Sequence, residues 1–389
     1  MKPAILGGEP AFKQKINIVR PVLPVFSKLS GDVERILASG MVTKGSHLAA
    51  FESAVAEHLG VKYAVGVSSC TTGLMLTYQA LGLTGEVLVP SFTFMATVSA
   101  LVWCGLRPVF VDVDSETTNI DPTLLEARLT RNTSAVVAVQ NFGNPADITA
   151  LEAFTRRYRL KLIFDAAHGF GALYQGEPVG NQGDAQVFSL SPTKLLIAGE
   201  GGIVATNLDD LAQKIRMGRE YGNSGNYDSA FAGMNARMPE FNALMGYHSL
   251  QMLEQAANSR NDTANLFSEV LGKIPGLEFQ KIDPRNRCSY KDFSLTVDPV
   301  LFGISRDQLM QALLVENIDT RKYYDPPIHM QTAYQRYYDG SLLPETIRLA
   351  QSSLSLPIWT SMDNQVAISI CEAIEKIHEH APAIRSVYQ

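Results

Sequence analysis

A chain of 389 residues, 46% hydrophobic and 19% charged, has the composition of an ordinary globular protein. It exceeds the length at which one core keeps growing, so two packed lobes are expected. A formal charge of −6 without a strong basic run argues against a nucleic-acid partner, although an anionic small substrate answers to local charge and is not excluded.

No apolar run reaches transmembrane length, and the chain does not open on a signal-peptide pattern, so no membrane partner is expected. The four cysteines, Cys70, Cys104, Cys288 and Cys371, have no metal-type spacing. Cys104 and Cys371 sit in apolar runs and read as core thiols, which fits a reducing cytoplasm and no metal site.

In chain order, Met1 to Leu29 contains Gly7, Gly8 and several prolines and reads as an irregular arm. A helix over Gly31 to Ala38 leads into a turn-rich loop, Gly40 to Gly45. A longer helix, Ser46 to Leu59, carries Leu48, Phe51, Val55 and Leu59 at helical spacing, with His47 and His58 read as solvated residues near its ends. Strands are predicted at Tyr63–Val67, Glu86–Val89, Pro108–Val111, Ala135–Gln140, Leu160–Asp165, Gln186–Leu190 and Gly202–Thr206. Helical segments at Thr72–Leu81, Ala96–Cys104 and Ile148–Tyr158 lie between several of them. Such alternation predicts an α/β protein with a mostly parallel sheet covered on both faces, and ligands in such sheets collect at the carboxyl ends of the strands. Pro239 to about Leu271 reads as mostly helical. The remainder alternates a strand (Phe293–Val297) with helices (Arg306–Val315, Met362–His378) and reads as a smaller lobe. The division expected is 1–255 for the large lobe with its arm and 256–389 for the small one.

The most informative stretch runs from Phe188 to Asn207. A buried strand is broken by Ser191, Pro192 and Thr193, and one lysine, Lys194, follows in uncharged surroundings before Gly199, Gly201 and Gly202. A lysine between two buried strands is either a snorkelling surface residue or an amine placed to react, because burial disfavours its charged form. This stretch alone leaves both open. Upstream, an apolar strand ends in Asp165, and a buried carboxylate needs a partner. A protonated pyridine nitrogen is one candidate, since a Lys/Asp pair is the usual handle on pyridoxal phosphate. Ser68 to Gly73 adds hydroxyls at the start of a helix, which is either a plain cap or a phosphate site.

Together Asp165, Ala166, Ala167 and His168, then Phe188, Ser189 and Lys194 with Gly199 to Gly202, resemble the fold-type I aminotransferases acting on nucleotide-linked keto-sugars, the DegT/DnrJ/EryC1/StrS family. The resemblance covers nearly the whole chain, from about Gly7 to the last helix. It implies a large lobe built on a mixed, mostly parallel seven-stranded sheet between helices, and a smaller α+β C-terminal lobe. It implies that Lys194 bonds pyridoxal 5'-phosphate and shuttles protons, Asp165 holds the ring nitrogen, and His168 sits near the phenolic oxygen. Thr71, Thr72 and Ser189 would bind the phosphate, and Phe94 would lie flat on the ring. The related deoxysugar dehydratases carry histidine where this chain has Lys194, which favours transamination.

The segment Gly233 to Glu240 is similar to the family's Gly-x-Asn-x-Arg-Met-x-Glu signature, so Asn235 is expected to reach the cofactor phosphate of a neighbouring subunit, with Arg237 on the substrate side. Arg321, Tyr323 and His329 lie in a segment resembling the one that lines the sugar-nucleotide side. Ser191 departs from the His or Tyr usual in close relatives. The resemblance therefore implies a cytoplasmic homodimer with shared sites, moving an amino group from L-glutamate to a nucleotide-linked keto-sugar. Segments Leu81–Val87, Pro108–Asp114 and Gly303–Leu309 look closest to enzymes that aminate C4 of dTDP-4-keto-6-deoxyglucose. Amination of a 3-keto-sugar or a keto-cyclitol is the alternative, because Gly7 to Pro10 is similar to the cyclitol enzymes. A non-catalytic regulator on the same fold is the reading from a different class.

Overall fold

The computed structural model describes residues 2–387, so Met1 of the expected arm and positions 388 and 389 lie outside the described residues. The arm is irregular apart from a 3-10 turn at Ala4–Leu6, but it ends earlier than expected, because α1 (Phe26–Ser39) takes in its last four positions. Next come α2 (Ser46–Leu59), β1 (Tyr63–Val67), α3 (Cys70–Ala80), β2 (Glu86–Pro90), α4 (Met95–Trp103) and β3 (Arg107–Val111). They are followed by β4 (Thr133–Val139), α5 (Ile148–Tyr158), β5 (Lys161–Asp165), a short hairpin of β6 (Leu173–Tyr174) and β7 (Glu177–Pro178), then β8 (Ala185–Ser189) and β9 (Gly202–Thr206). The segment after Thr206, for which no element was predicted, contains α6 (Asp209–Gly218). Its buried Leu211, Ala212 and Ile215 recur at helical spacing, and Asp209 and Asp210 suit its positive end.

Seven strands form one sheet in the order β1-β9-β8-β5-β4-β2-β3. All pairings are parallel except those of β9, which runs against both β8 and β1. The reversal follows from the short link between β8 and β9. A parallel return needs a crossover, usually a helix, whereas this link folds back on itself through Leu190 N–H to Gly201 O (3.0 Å) and Ala198 N–H to Leu190 O (2.9 Å). Lys194 sits inside that folded link. Apolar clusters lie on both faces of the sheet, one including Phe51, Phe164 and Phe188 and the other Leu74, Val98 and Val204.

The helical segment after Pro239 is two helices, α7 (Glu240–Leu250) and α8 (Leu253–Leu271). Buried Leu253 and Ala257 of α8 belong to the sheet's core, while Ala264, Phe267 and Leu271 belong to a second core. That second core holds a three-stranded antiparallel sheet, β10 (Leu277–Phe279), β11 (Phe293–Val297) and β12 (Ser353–Leu356). It is covered by α9 (Arg306–Val315), α10 (Pro344–Ser352), α11 (Asn364–Glu379) and α12 (Ala381–Val387). Ile5, Leu6, Phe12 and Ile16 of the arm pack on this second core rather than on the first.

Candidate active site

Five of the seven strands deliver side chains or loops to one place. Ser69, Cys70 and Thr71 follow β1; Thr93 and Phe94 follow β2; Val139, Asp165 and Ser189 end β4, β5 and β8. They line a cavity of about 390 Å³ that Lys194 and Glu200 enter from the β8–β9 link and Lys291, Asp292, Tyr323 and Tyr324 enter from the C-terminal lobe. This is the carboxyl edge of the sheet, where open α/β folds hold ligands. A groove of about 480 Å³ near Gln280 is larger, but both of its cations are paired with its own acids, Lys281 to Glu116 at 2.7 Å and Arg348 to Glu345 at 2.8 Å. It gathers no reactive set.

The floor depends on close backbone approach. A Cβ at Gly202 would stand 2.6 Å from the Ser69 carbonyl carbon and 2.7 Å from the Cys70 nitrogen, so only glycine lets β9 start against the tip of α3. That tip is capped by a reciprocal box: Thr72 N–H donates to Ser69 Oγ and Ser69 N–H to Thr72 Oγ1, each at 3.1 Å. Thr72 therefore caps the helix and does not line the cavity, while Thr71 and Ser69 do. The positive end of α3 opens into the site.

Asp165 is 4% exposed. Thr97 Oγ1 donates to its Oδ2 at 2.7 Å and the Ala167 N–H to its Oδ1 at 3.1 Å, with the Cys70 thiol 3.8 Å from Oδ1. Burial nevertheless pushes its pKa up, so the hydrogen bonds do not replace the lost hydration. A further cation against this carboxylate would reverse the shift. Burial also holds His168 well below its ordinary range, with Lys194 and Lys291 adding to the effect. Its neutral ring leaves Nδ1 buried with no protein partner. Phe94 is 51% exposed although apolar and lines the cavity, so it is no part of the core.

Lys194 is pushed down to about 8, mainly by burial and next by Lys291. Its remaining accessible surface belongs to the cavity it lines. The displacement from 10.5 to about 8 is worth about 3 kcal/mol, less what water in the cavity screens. Below pH 8 both folded and unfolded lysines are protonated and the native state carries the full penalty; between 8 and 10.5 only the unfolded lysine keeps its proton, so the penalty fades. Cofactor-free Lys194→Met should therefore be more stable than the cofactor-free parent by roughly 2 kcal/mol at pH 7, shrinking to nothing by about pH 10.5. Denaturant titrations across that range check it; a variant that is less stable at pH 7 contradicts the burial of a charged amine.

The family model of the DegT/DnrJ/EryC1/StrS aminotransferases matches residues 27–375. The chain belongs to this family. It is 33% identical to the spore coat polysaccharide biosynthesis protein SpsC of Bacillus subtilis, over 94% of this chain and 98% of that one. It is 30% identical to the pleiotropic regulatory protein of Geobacillus stearothermophilus, over 90% of this chain and 94% of the relative. Among solved structures, DesI in the presence of its TDP-sugar product superposes with a TM-score of 0.92 at 36% identity, covering 100% of this chain and 98% of that one. The expected α/β architecture with its seven-stranded sheet is thus borne out, and the chain is a pyridoxal-phosphate-dependent sugar aminotransferase.

The residues present fit that cofactor: an under-compensated buried carboxylate, a partnerless buried imidazole nitrogen, a buried amine with a lowered pKa, and hydroxyls at a helix N-terminus. Of the residues singled out from the sequence, the cavity brings together Thr71, Phe94, Asp165, His168, Ser189, Lys194 and Tyr323. Besides Thr72, four others stand outside it. His329 is 3% exposed and bonded to Ser91, through Nδ1 at 2.7 Å and its N–H at 3.0 Å, so it ties the loop to β2. Arg321 pairs with Asp319 at 2.6 Å, beside Tyr323. Arg237 lies 3.6 Å from Glu220 and over the Tyr221 ring. Asn235 is exposed and joined to Glu220 only through a backbone bridge.

Other expectations need correction. His47 and His58 are half-buried, His47 Nε2 lying 3.6 Å from Asp32. Cys104 is half-buried too, while Cys371 is buried. The sequence reading missed Thr97, Cys70, Lys291 and Asp292. Glu240, part of the Asn235 signature, is a buried cap: its carboxylate accepts the N–H groups of Gly45, His47 and Leu48 at 2.9, 2.9 and 3.0 Å. Among the described residues, no helix is long and apolar enough to cross a membrane, and no cluster of three acidic, histidine or cysteine side chains could hold a metal.

Proposed function

We propose that this enzyme moves the amino group of L-glutamate to a keto-sugar carried on a nucleotide, with C4 of dTDP-4-keto-6-deoxyglucose as the acceptor. The observation that carries the reading is the meeting of Lys194, Asp165 and His168 in one cavity beneath the half-exposed Phe94. Bound there, the cofactor supplies an electron sink for the carbon that loses or gains a proton. Asp165 would hold its ring nitrogen, Thr71, Ser69 and Ser189 its phosphate, Phe94 its ring face and His168 Nδ1 its phenolic oxygen. The lowered pKa of Lys194 brings the amine closer to neutral pH, so that it would carry a proton to and from the reacting carbon at less cost than an ordinary lysine. Likeness to DesI across the whole chain favours a TDP-linked sugar. Offering purified 4-keto-sugar, 3-keto-sugar and keto-cyclitol acceptors with L-glutamate tests the choice, and turnover confined to either of the last two would replace it.

The likeness to the pleiotropic regulatory protein of Geobacillus stearothermophilus speaks for the second reading, a regulator without chemistry. A regulator would have no need to keep a buried amine and a buried carboxylate in one cavity.

The working unit is proposed to be a cytoplasmic homodimer. Exposed Met41, Val42, Tyr221 and Tyr227 lie on loops around Asn235: the Glu240 N–H donates to Val42 O at 2.9 Å, and Thr43 bridges to Pro239. A second copy covering this face would bring its Asn235 to the neighbouring phosphate. Asn235→Asp replaces an amide donor by a like charge facing a dianion, a repulsion of about 1 kcal/mol in water and several times more when partly buried. Asn235→Asp and Lys194→Ala should each be inactive alone, yet mixed dimers should regain up to about half of the parent activity, since one site in each receives no lesion. No recovery in confirmed mixed dimers contradicts the sharing.

A further inference from the structure

Lys291 and Asp292 are consecutive residues of opposite charge in the bend just before β11. In a strand their side chains would point to opposite faces. In this bend they meet, with Lys291 Nζ 2.8 Å from Oδ1 and 3.0 Å from Oδ2 of Asp292. Both side chains are nearly buried, 6% and 3% exposed, and both line the Lys194 cavity. Stability does not explain them, because desolvation offsets most of the attraction within a buried pair.

The bend is held rigid from both lobes. The Lys291 N–H donates to Phe142 O at 3.1 Å and the Ser289 N–H to Gly143 O at 3.0 Å. From α8, buried Arg260 donates through Nη1 to the carbonyls of Tyr290 and Lys291, both at 3.0 Å, and its Nε has no partner. The attraction of Asp292 partly restores the pKa of Arg260, so this carboxylate has a second cation behind it.

The proposed reaction sets this cavity a problem. It must accept an amino donor bearing carboxylates and then, in the same place, a neutral sugar ring. The cavity-lining cations are Lys194 and Lys291, with no arginine among the described residues that line it. Lys194 is committed to the reacting carbon. A lysine left free would be uncompensated against the sugar, and one always neutralised would be of little use to a carboxylate.

We infer that the Lys291–Asp292 pair is the element that lets one cavity take both substrates. Lys291 swings from Asp292 to a carboxylate of the donor while Arg260 keeps Asp292 compensated. When the keto-sugar enters, Lys291 returns, and the spare lone pairs of Asp292 accept a sugar hydroxyl. This rests on the donor and acceptor classes proposed above.

The two half-reactions can be followed separately by the visible absorbance of the cofactor-loaded enzyme. A parent enzyme that does not respond to L-glutamate removes the donor assignment itself, whatever the variants do. If the parent responds, Lys291→Gln should raise the L-glutamate concentration for half-reaction about tenfold or more, the usual scale for one charge-assisted contact. It should weaken competition by glutarate, a dicarboxylate without the amine, to a similar extent, and change the sugar half-reaction less than about threefold. Lys291→Arg should recover most of the glutarate affinity. Asp292→Asn should act in the opposite sense, slowing the sugar half-reaction about tenfold or more while donor binding persists. The double variant Lys291→Gln/Asp292→Asn guards against misfolding by removing both charges, and it should bind glutarate as poorly as Lys291→Gln. Equal losses in both half-reactions, or parent-like glutarate binding by the double variant, overturns the inference.

Discussion

Lys194→Ala is expected to show no measurable transamination while folding normally and remaining soluble. The side chain ends in the cavity and fills no core, so little packing is lost. What disappears is the amine proposed to bond the cofactor and move the proton, and no other group in the cavity can take both parts. Lys291 is paired with Asp292 and sits on the C-terminal lobe rather than in the β8–β9 link, and His168 is held neutral but cannot form the covalent link. Assay with L-glutamate and keto-sugar at high enzyme concentration checks this; residual turnover near the parent level contradicts it.

Asp165→Asn has the next largest expected effect, a loss in turnover of about 100-fold or more, because a buried charge aimed at a developing site is worth several kcal/mol. The amide has the shape of the carboxylate: its one oxygen can keep the Ala167 N–H, and the Thr97 hydroxyl can turn to accept from the amide nitrogen. Fold and position should thus survive, and the loss reports the charge alone. Near-parent turnover would reduce Asp165 to a strand-end acid.

The site was legible where chemistry and local pattern coincide. Asp165 stands out as an acid ending an apolar strand and Lys194 as a lone charge between two such strands, and the strand alternation already places Asp165 at the ligand edge of the sheet. Ser68 to Gly73 was legible only to the level of a helix start. Whether Thr71 or Thr72 faces the cavity depends on which hydroxyl closes the capping box, and local sequence does not decide that. Partners remote in sequence were invisible: His329 is satisfied by Ser91 and Thr97 supports Asp165, contacts that exist only once the lobes and sheet assemble. The Lys291–Asp292 pair was missed for the same reason, since two adjacent opposite charges usually mark a solvated turn. The reversed strand β9 was hidden because periodicity gives a strand's faces and not its direction.

The most direct test is borohydride reduction of the purified protein loaded with pyridoxal 5'-phosphate, followed by peptide mapping by mass spectrometry. The account predicts one stable pyridoxyl adduct, on the peptide carrying Lys194, and loss of that adduct when L-glutamate is added before the reductant. An adduct on another lysine, Lys291 included, or a protein that binds no cofactor, would contradict it.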